Sequence, residues 1–171
     1  MKKLLLTVLI TLSTNILAKT SLLGVYINDN VLDYVTKEEL KSKSRDIVRG
    51  FFALRLKNPP VSNKYYSDDV FVTFDKNNKI VQILSVKKFQ NLETCEKMEY
   101  EVRRLSETKN NFEFVRNPNA EYGFYKWLGD NVITTLCNVN VLSDDETILF
   151  IFLKTEKYSD KFQEYLLDSK I

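Results

Sequence analysis

The chain has 171 residues, of which 44% are hydrophobic and 28% are charged. This is ordinary for a globular protein of one domain with a proper core. It contains no histidine, which excludes Ser-His-Asp and Cys-His catalysis, histidine-bearing metal sites and imidazole pH switches. Its two cysteines are too few for a four-cysteine metal centre.

Residues 1–18 have the layout of a secretory signal peptide. Lys2 and Lys3 give a positive start to an apolar stretch over residues 4–17. Ala18 is a small residue suited to cleavage. The stretch is shorter than the roughly 20 apolar residues of a membrane span, so an uncleaved anchor is the less favoured alternative.

The formal charge of +2 belongs to this N-terminal segment. Lys2 and Lys3 account for all of it, and residues 1–18 contain no acidic residue. A chain cleaved after Ala18 is therefore neutral overall, which gives no support for binding to nucleic acid or to an anionic membrane.

Export determines how the two cysteines are interpreted. In an oxidising compartment, Cys95 and Cys137 most simply form a structural disulfide, and two buried free thiols are the alternative. Residues 19–171 contain no Asn-x-Ser/Thr glycosylation acceptor, which favours a bacterial source and a periplasmic or secreted location.

Val31, Leu32 and Val35 suggest a short helix, and a stronger helix signal follows residue 35. Thr36 and Glu39 form a capping box, which predicts a helix from Lys37 onward. Its basic residues are interpreted as a solvated face and not as a binding patch: Lys41, Lys43, Arg45 and Arg49.

Two further helices are predicted. After Asn91, apolar residues recur at spacings of three and four, as on one face of a helix that ends near Asn110. These residues are Leu92, Cys95, Met98, Val102 and Leu105. Ser159 is suited to cap a closing helix.

Runs of β-branched and aromatic residues predict strands elsewhere. The clearest pair is 69–75 and 80–86, which a turn at Asn77 and Asn78 joins into a hairpin. Other suitable runs lie at 51–56, 112–115, 122–128, 132–142 and 147–153.

Strands that cluster between helices favour an α+β fold. We expect residues 19–171 to form a single domain whose antiparallel sheet has about five to six strands in two meanders, with the helices packed on one face. Each meander follows a helix, a pattern that suggests an internal helix-plus-meander repeat.

No segment carries a convincing catalytic or cofactor motif. Asp75 and Asn77 begin like a calcium loop, but Lys79 and Ile80 occupy positions that need a ligand and a glycine. The four glycines are too scattered for a phosphate-binding loop. We therefore predict no catalytic residue, no metal and no cofactor.

The aromatic run over residues 121–127 is the one candidate binding feature. On a strand, Tyr122 and Phe124 lie on one side, and Tyr125 and Trp127 lie on the other. If one set packs inward, the other lies nearer solvent, where Tyr and Trp are favoured binding anchors. Tyr122, Tyr125 and Trp127 are the candidate binding surface, and a strand buried on both sides is the alternative.

Three features of the chain occur together: the signal peptide, the hairpin around residues 75–79, and a helix cysteine matched to a strand cysteine. In this combination the chain resembles small exported α+β proteins that AT-rich bacteria encode in numbers. The resemblance covers most of residues 19–171 and implies a structure without implying an activity.

We expect an exported, non-enzymatic module, periplasmic or secreted, that binds an unknown protein or envelope partner. We expect no stable membrane span once the signal is cleaved. Two alternatives stay open: a carrier of small or apolar ligands held between the helices and the sheet, and a hydrolase that relies on carboxylates.

Overall fold

The computed structural model describes residues 20–48, 50–61, 67–118, 123–139 and 146–168. The predicted signal peptide, residues 1–18, lies outside the described residues. The described part contains a two-stranded hairpin, an eight-stranded sheet and three α-helices, which confirms the α+β class.

The chain begins with a small N-terminal unit and continues through two meanders. The N-terminal unit comprises β1 (Ser21–Leu22), β2 (Val25–Tyr26), a 3-10 turn (Val31–Asp33) and α1 (Lys37–Lys43). The first meander comprises β3 (Arg45–Val48), β4 (Phe51–Leu56), β5 (Asp69–Asp75) and β6 (Ile80–Phe89). Helix α2 (Leu92–Asn110) precedes the second, which comprises β7 (Val115–Arg116), β8 (Gly123–Leu128), β9 (Asn131–Val139) and β10 (Thr147–Thr155). Helix α3 (Glu156–Asp168) follows.

The main sheet has the strand order β3-β4-β5-β6-β10-β9-β8-β7, and every pairing is antiparallel. The two meanders meet where β6 pairs with β10, so the order is symmetrical about that pair. The expectation of five to six strands is wrong. Each meander contributes four strands because short edge strands, β3 and β7, extend the sheet on both sides.

Strand β3 occupies residues that the sequence assigned to the first helix. The capping box is present as predicted, since Thr36 accepts from the Glu39 backbone and Glu39 accepts from the Thr36 backbone. The helix nevertheless ends at Lys43, and the backbone of the next residue, Ser44, is extended. The β-branched residues Ile47 and Val48 then favour an edge strand, so Arg45 lies on a strand.

The predicted hairpin is confirmed between β5 and β6. One carboxylate oxygen of Asp75 accepts from the backbone nitrogens of Asn77, at 2.8 Å, and Lys79, at 3.0 Å. Asn78 adopts a φ of 63°, a conformation that Asn tolerates better than most residues. The Asp-Lys-Asn-Asn-Lys segment is thus a turn held by its own aspartate.

Helices α1 and α2 pack on one face of the sheet, which we call the covered face. Helix α2 begins after Asn91 as predicted, and the Asn91 side chain caps it. Cys95 is fully buried beneath the helix. The N-terminal unit packs on the same face, where the main core lies. That core comprises Val25, Ile27, Val31, Leu54, Leu56, Val70, Val72, Phe74, Ile80, Ile83 and Leu153.

Helix α3 departs from the expected arrangement, because it packs on the opposite face. Its Tyr158 ring lies 5.1 Å from the Phe51 ring and belongs to a cluster with Val48. Phe51 alternates with Phe52, which packs on the core of the covered face. The prediction that all helices share one face is therefore wrong for α3. Within the described part of the chain, no helix is long and apolar enough to cross a membrane.

Candidate binding surface

Strand β10 is apolar on both of its sides, yet helices α1 and α2 cover only one. Leu149, Ile151 and Leu153 point to the covered face and are 0–3% exposed. The residues between them include Phe150 and Phe152, which are only partly buried. An antiparallel sheet with one solvated face normally carries polar residues there. The second side of β10 is therefore built for contact with apolar groups.

The apolar character of this side continues across neighbouring strands. Phe152 pairs with Leu84 on β6, and Leu84 pairs with Phe71 on β5. Residues that lie directly opposite each other on adjacent strands share a face of the sheet. Phe150 stacks on Phe152 at 5.7 Å between ring centroids and lies between Val86 and Leu136 in the register.

The candidate residues of the aromatic run reach the same face from β8. Tyr125 pairs with Thr134, which pairs with Phe152. Trp127 is 46% exposed and pairs with Val132. Tyr122 lies outside the described residues, so the structure places two of the three candidates.

Together these side chains form what we call the open-face patch. Its members are Phe71, Leu84, Val86, Tyr125, Trp127, Leu136, Phe150 and Phe152. They span five adjacent strands and three rows, which corresponds to roughly 20 Å by 14 Å, an area on the order of 300 Å². Apolar patches of this size on a monomer are often functional. Among the described elements, only α3 packs on this face.

Cationic side chains border the patch. Arg55, opposite Phe71 on β4, pairs with Asp69, and Lys88, two residues after Val86 on β6, pairs with Glu146. Lys154 follows Phe152 on the same side of β10 and lies opposite Val132, in the row of Trp127. Burial lowers the pKa of the Lys154 ammonium, and the nearby Asp160 carboxylate of α3 only partly offsets this effect. No carboxylate of the described residues forms an ion pair with it within 4 Å.

A second polar site lies on the covered face, beneath α2. Thr135 Oγ1 donates a 2.5 Å hydrogen bond to Glu99 Oε1, and Arg103 Nε lies 3.4 Å from the same oxygen. Burial raises the pKa of the Glu99 carboxyl above its usual range, because the Thr135 hydrogen bond and the Arg103 charge offset it incompletely. The Arg103 guanidinium also lies 3.9 Å from the centroid of the Phe124 ring.

The predicted disulfide lies beside this polar site. The Sγ atoms of Cys95 and Cys137 are 2.05 Å apart, so α2 is covalently joined to β9. Cys95 and Glu99 are one helical turn apart, and Cys137 and Thr135 are two residues apart on the same side of β9. Glu99 is held among structural contacts, which favours a structural role for its carboxylate.

A surface cleft of about 680 Å³ lies where β6 meets the start of α2. Phe89 and Met98 contribute apolar lining, and lysines surround them. All three lining lysines are engaged: Lys87 pairs with Asp68 at 2.8 Å, Lys88 with Glu146 at 3.0 Å and Lys97 with Glu93 at 3.8 Å. Across the described part of the chain, no group of three metal-ligating side chains comes together.

Comparison with known proteins gives no relative from which a function could be transferred: no family model, curated protein or solved structure matches the chain.

Sequence reasoning missed three of these features: the apolar second side of β10, Lys154 and Glu99. A signal existed for Glu99, which follows Cys95 by four residues and so reaches the sheet on the same helical stripe. Leu105, assigned to that stripe, is 43% exposed. The residues of β10 form a continuous apolar run, which is typical of a strand buried on both faces.

Proposed function

We propose that this protein is an exported, non-enzymatic binding module that engages a protein or envelope partner through the open-face patch. One observation carries the proposal: Phe150 and Phe152 occupy the side of β10 that helices α1 and α2 leave uncovered. Trp127, the single tryptophan of the chain, is partly exposed on the same face, and Tyr and Trp are enriched where binding energy concentrates.

The proposal includes export. Residues 1–18 carry the signal-peptide pattern, and the Cys95–Cys137 disulfide fits an oxidising compartment. We assign the protein to the periplasm first and to full secretion second. The test is the N-terminal sequence of the protein recovered from cells, which should begin at Lys19 or within a few residues of it.

We also propose that the two halves are an internal repeat. The support is topological, because each half is a helix followed by four antiparallel strands, and the halves meet at β6 and β10. Separately, we propose that the chain is one of the small exported α+β proteins of AT-rich bacteria that it resembles.

The hydrolase alternative has weaker support. The most buried carboxylate described, that of Glu99, accepts from Thr135 and pairs with Arg103, and a two-carboxylate mechanism needs a second acid across a substrate cleft. The carrier alternative has one observation in its favour, the cleft lined by Phe89 and Met98. Native mass spectrometry of the protein purified from its own cells would reveal a co-purified ligand.

The binding proposal is tested by capture from the envelope fraction with the whole exported protein as bait. The informative variant combines Tyr125→Ala with Trp127→Ala. Tyr100→Ala is the matched control, because Tyr100 is 52% exposed on α2, over the other face. We expect a partner that wild type and Tyr100→Ala retain and the double variant loses. Equal recovery by all three proteins would refute the role of the patch.

A further inference from the structure

The chemistry of the open-face patch indicates what kind of partner segment it receives. The patch combines an apolar surface with the Lys154 cation, which, unlike Arg55 and Lys88 at the same border, has no ion pair within 4 Å among the described residues. Trp127, Phe150 and Phe152 supply the apolar contacts, and Lys154 supplies the charge. This inference rests on the proposed function and specifies the partner segment that the same surface binds.

Backbone chemistry favours a helix over an extended segment. The patch is the face of a sheet, so its strands already pair with one another and offer no free backbone groups. An extended segment laid across it would leave its own backbone N–H and C=O groups without partners, whereas a helix satisfies its own. Recognition of an amphipathic helix by an apolar surface needs only side-chain packing.

The geometry of α3 argues against a second copy of the sheet as the occupant. Two sheets pack at roughly 10 Å, but α3 lies on this same face, with Tyr158 and Phe162 against it. A helix with its side chains is roughly 10–12 Å across, so α3 holds a second sheet away from the patch. Another helix beside α3 would complete the layer that α3 begins.

The area of the open-face patch also favours a helix as its occupant. A stable interface buries about 800 Å² on each partner, more than twice the area of the patch. A patch roughly 20 Å across instead matches a helix of about 13 residues. The patch therefore suits one helix better than a self-associating surface.

Charge complementarity identifies one residue of that helix. Lys154 is the only cationic side chain in the three rows of the patch between β6 and β8 of the described sheet. Burial against the sheet and α3 has already removed part of its hydration. We propose that the open-face patch receives an amphipathic α-helix of a partner protein, beside α3, with an Asp or Glu of that helix paired to Lys154 Nζ.

The probe is a phage-displayed library of 18-residue amphipathic helices, selected against the full disulfide-bonded protein. Selected helices should carry an acidic residue at one constant position beside the apolar stripe. The binding of synthetic peptides is then followed by the fluorescence of Trp127, which reports directly from the site because the chain has no other tryptophan.

A double-mutant cycle separates charge pairing from packing. Lys154→Gln should weaken the acidic peptide about tenfold and leave its Glu→Gln analogue nearly unchanged, while Lys154→Arg should retain most of the affinity. Equal weakening of both peptides would overturn the pairing. Selection of helices without an acidic position would overturn it as well.

Other outcomes identify other occupants. A dimer seen by sedimentation and abolished by Trp127→Ala would overturn the helix proposal in favour of a second copy. If no helix binds but envelope capture still depends on Tyr125 and Trp127, this inference fails and the proposed function stands. If capture is also independent of both residues, the proposed function fails too.

Discussion

Thr135 donates a 2.5 Å hydrogen bond to Glu99, and this bond runs from β9 to α2 beside the disulfide that joins the same two elements. Glu99 is 5% exposed and Thr135 is fully buried. Two contacts therefore fix α2 to the covered face: the disulfide and, one helical turn away, the buried hydrogen bond. Both are interior contacts, in contrast to the partly exposed aromatic residues on the other side of the sheet.

The Glu99 carboxyl should make stability depend on pH. Its pKa is raised by burial, so the folded state binds the proton more tightly than the unfolded chain does. The stabilising contribution is fully present below the ordinary Glu pKa and is lost as pH rises through the raised value of the folded state. The free energy of unfolding of Glu99→Gln relative to wild type should therefore rise across that window, by at most about 1.4 kcal/mol per pH unit.

Urea unfolding at a series of pH values between 4 and 8 measures this difference. Glu101→Gln is the control, because it removes one negative charge from the same helix at a side chain paired with Arg104 at the surface. If Glu99→Gln and Glu101→Gln show the same pH dependence relative to wild type, the buried carboxyl is not the source.

Loss of the disulfide should be costly. Cys95 and Cys137 are 42 residues apart in sequence, and in the chain-entropy model a crosslink across such a loop stabilises the fold by about 4 kcal/mol. We expect the double variant Cys95→Ala, Cys137→Ala to lose about that much free energy of unfolding, measured by urea titration without reductant. Wild type in dithiothreitol should approach the double variant. A loss under about 1 kcal/mol would contradict the model.

Two adjacent residues of β10 test which face of the sheet is open. Leu153 is fully buried, so Leu153→Ala should cost about 2–5 kcal/mol. Phe152 is partly exposed, so its ring buries less apolar surface on folding than a core side chain does. We therefore expect Phe152→Ala to lower the free energy of unfolding by less than half as much as Leu153→Ala.

Chemical denaturation followed by circular dichroism compares the two variants. The double variant Tyr125→Ala, Trp127→Ala extends the comparison to β8. If either patch variant costs as much as Leu153→Ala, these aromatic residues belong to a packed core and the binding surface does not exist.

Local signals predicted much of the fold. The capping box of Thr36 and the hairpin turn at Asn77 and Asn78 each depend on neighbours within a few residues, so the sequence predicts them directly. The start of α2 after Asn91 followed from the apolar spacing, but the cap that Asn91 supplies was not predicted. The pairing of Cys95 with Cys137 followed from an even cysteine count and export. Predicting these features requires no knowledge of long-range packing.

Long-range features were harder to predict. The sequence predicted that the residues of β3 continue a charged helix. They pair with β4 instead, because pairing at the sheet edge compensates for their weak intrinsic preference for a strand. Helix α3 begins at Glu156 directly after β10, and Thr155, not Ser159, accepts from the first turn through its hydroxyl. The apolar run of β10 predicts burial on both sides. Only the arrangement of the helices shows that α1 and α2 cover one side and that, among the described elements, α3 alone packs on the other.

The hairpin turn offers a last test, because it separates a structural aspartate from a calcium ligand. Asp75 accepts two backbone hydrogen bonds within the turn, and Asp75→Ala should therefore cost about 1–2 kcal/mol. Lys76→Ala is the matched control, since Lys76 is exposed in the same turn and should change stability little. Thermal unfolding with and without millimolar calcium completes the test. Wild type should unfold at the same temperature in both conditions, because the turn satisfies Asp75 with its own backbone. A calcium-dependent rise in Tm that Asp75→Ala abolishes would instead identify the turn as a cation site.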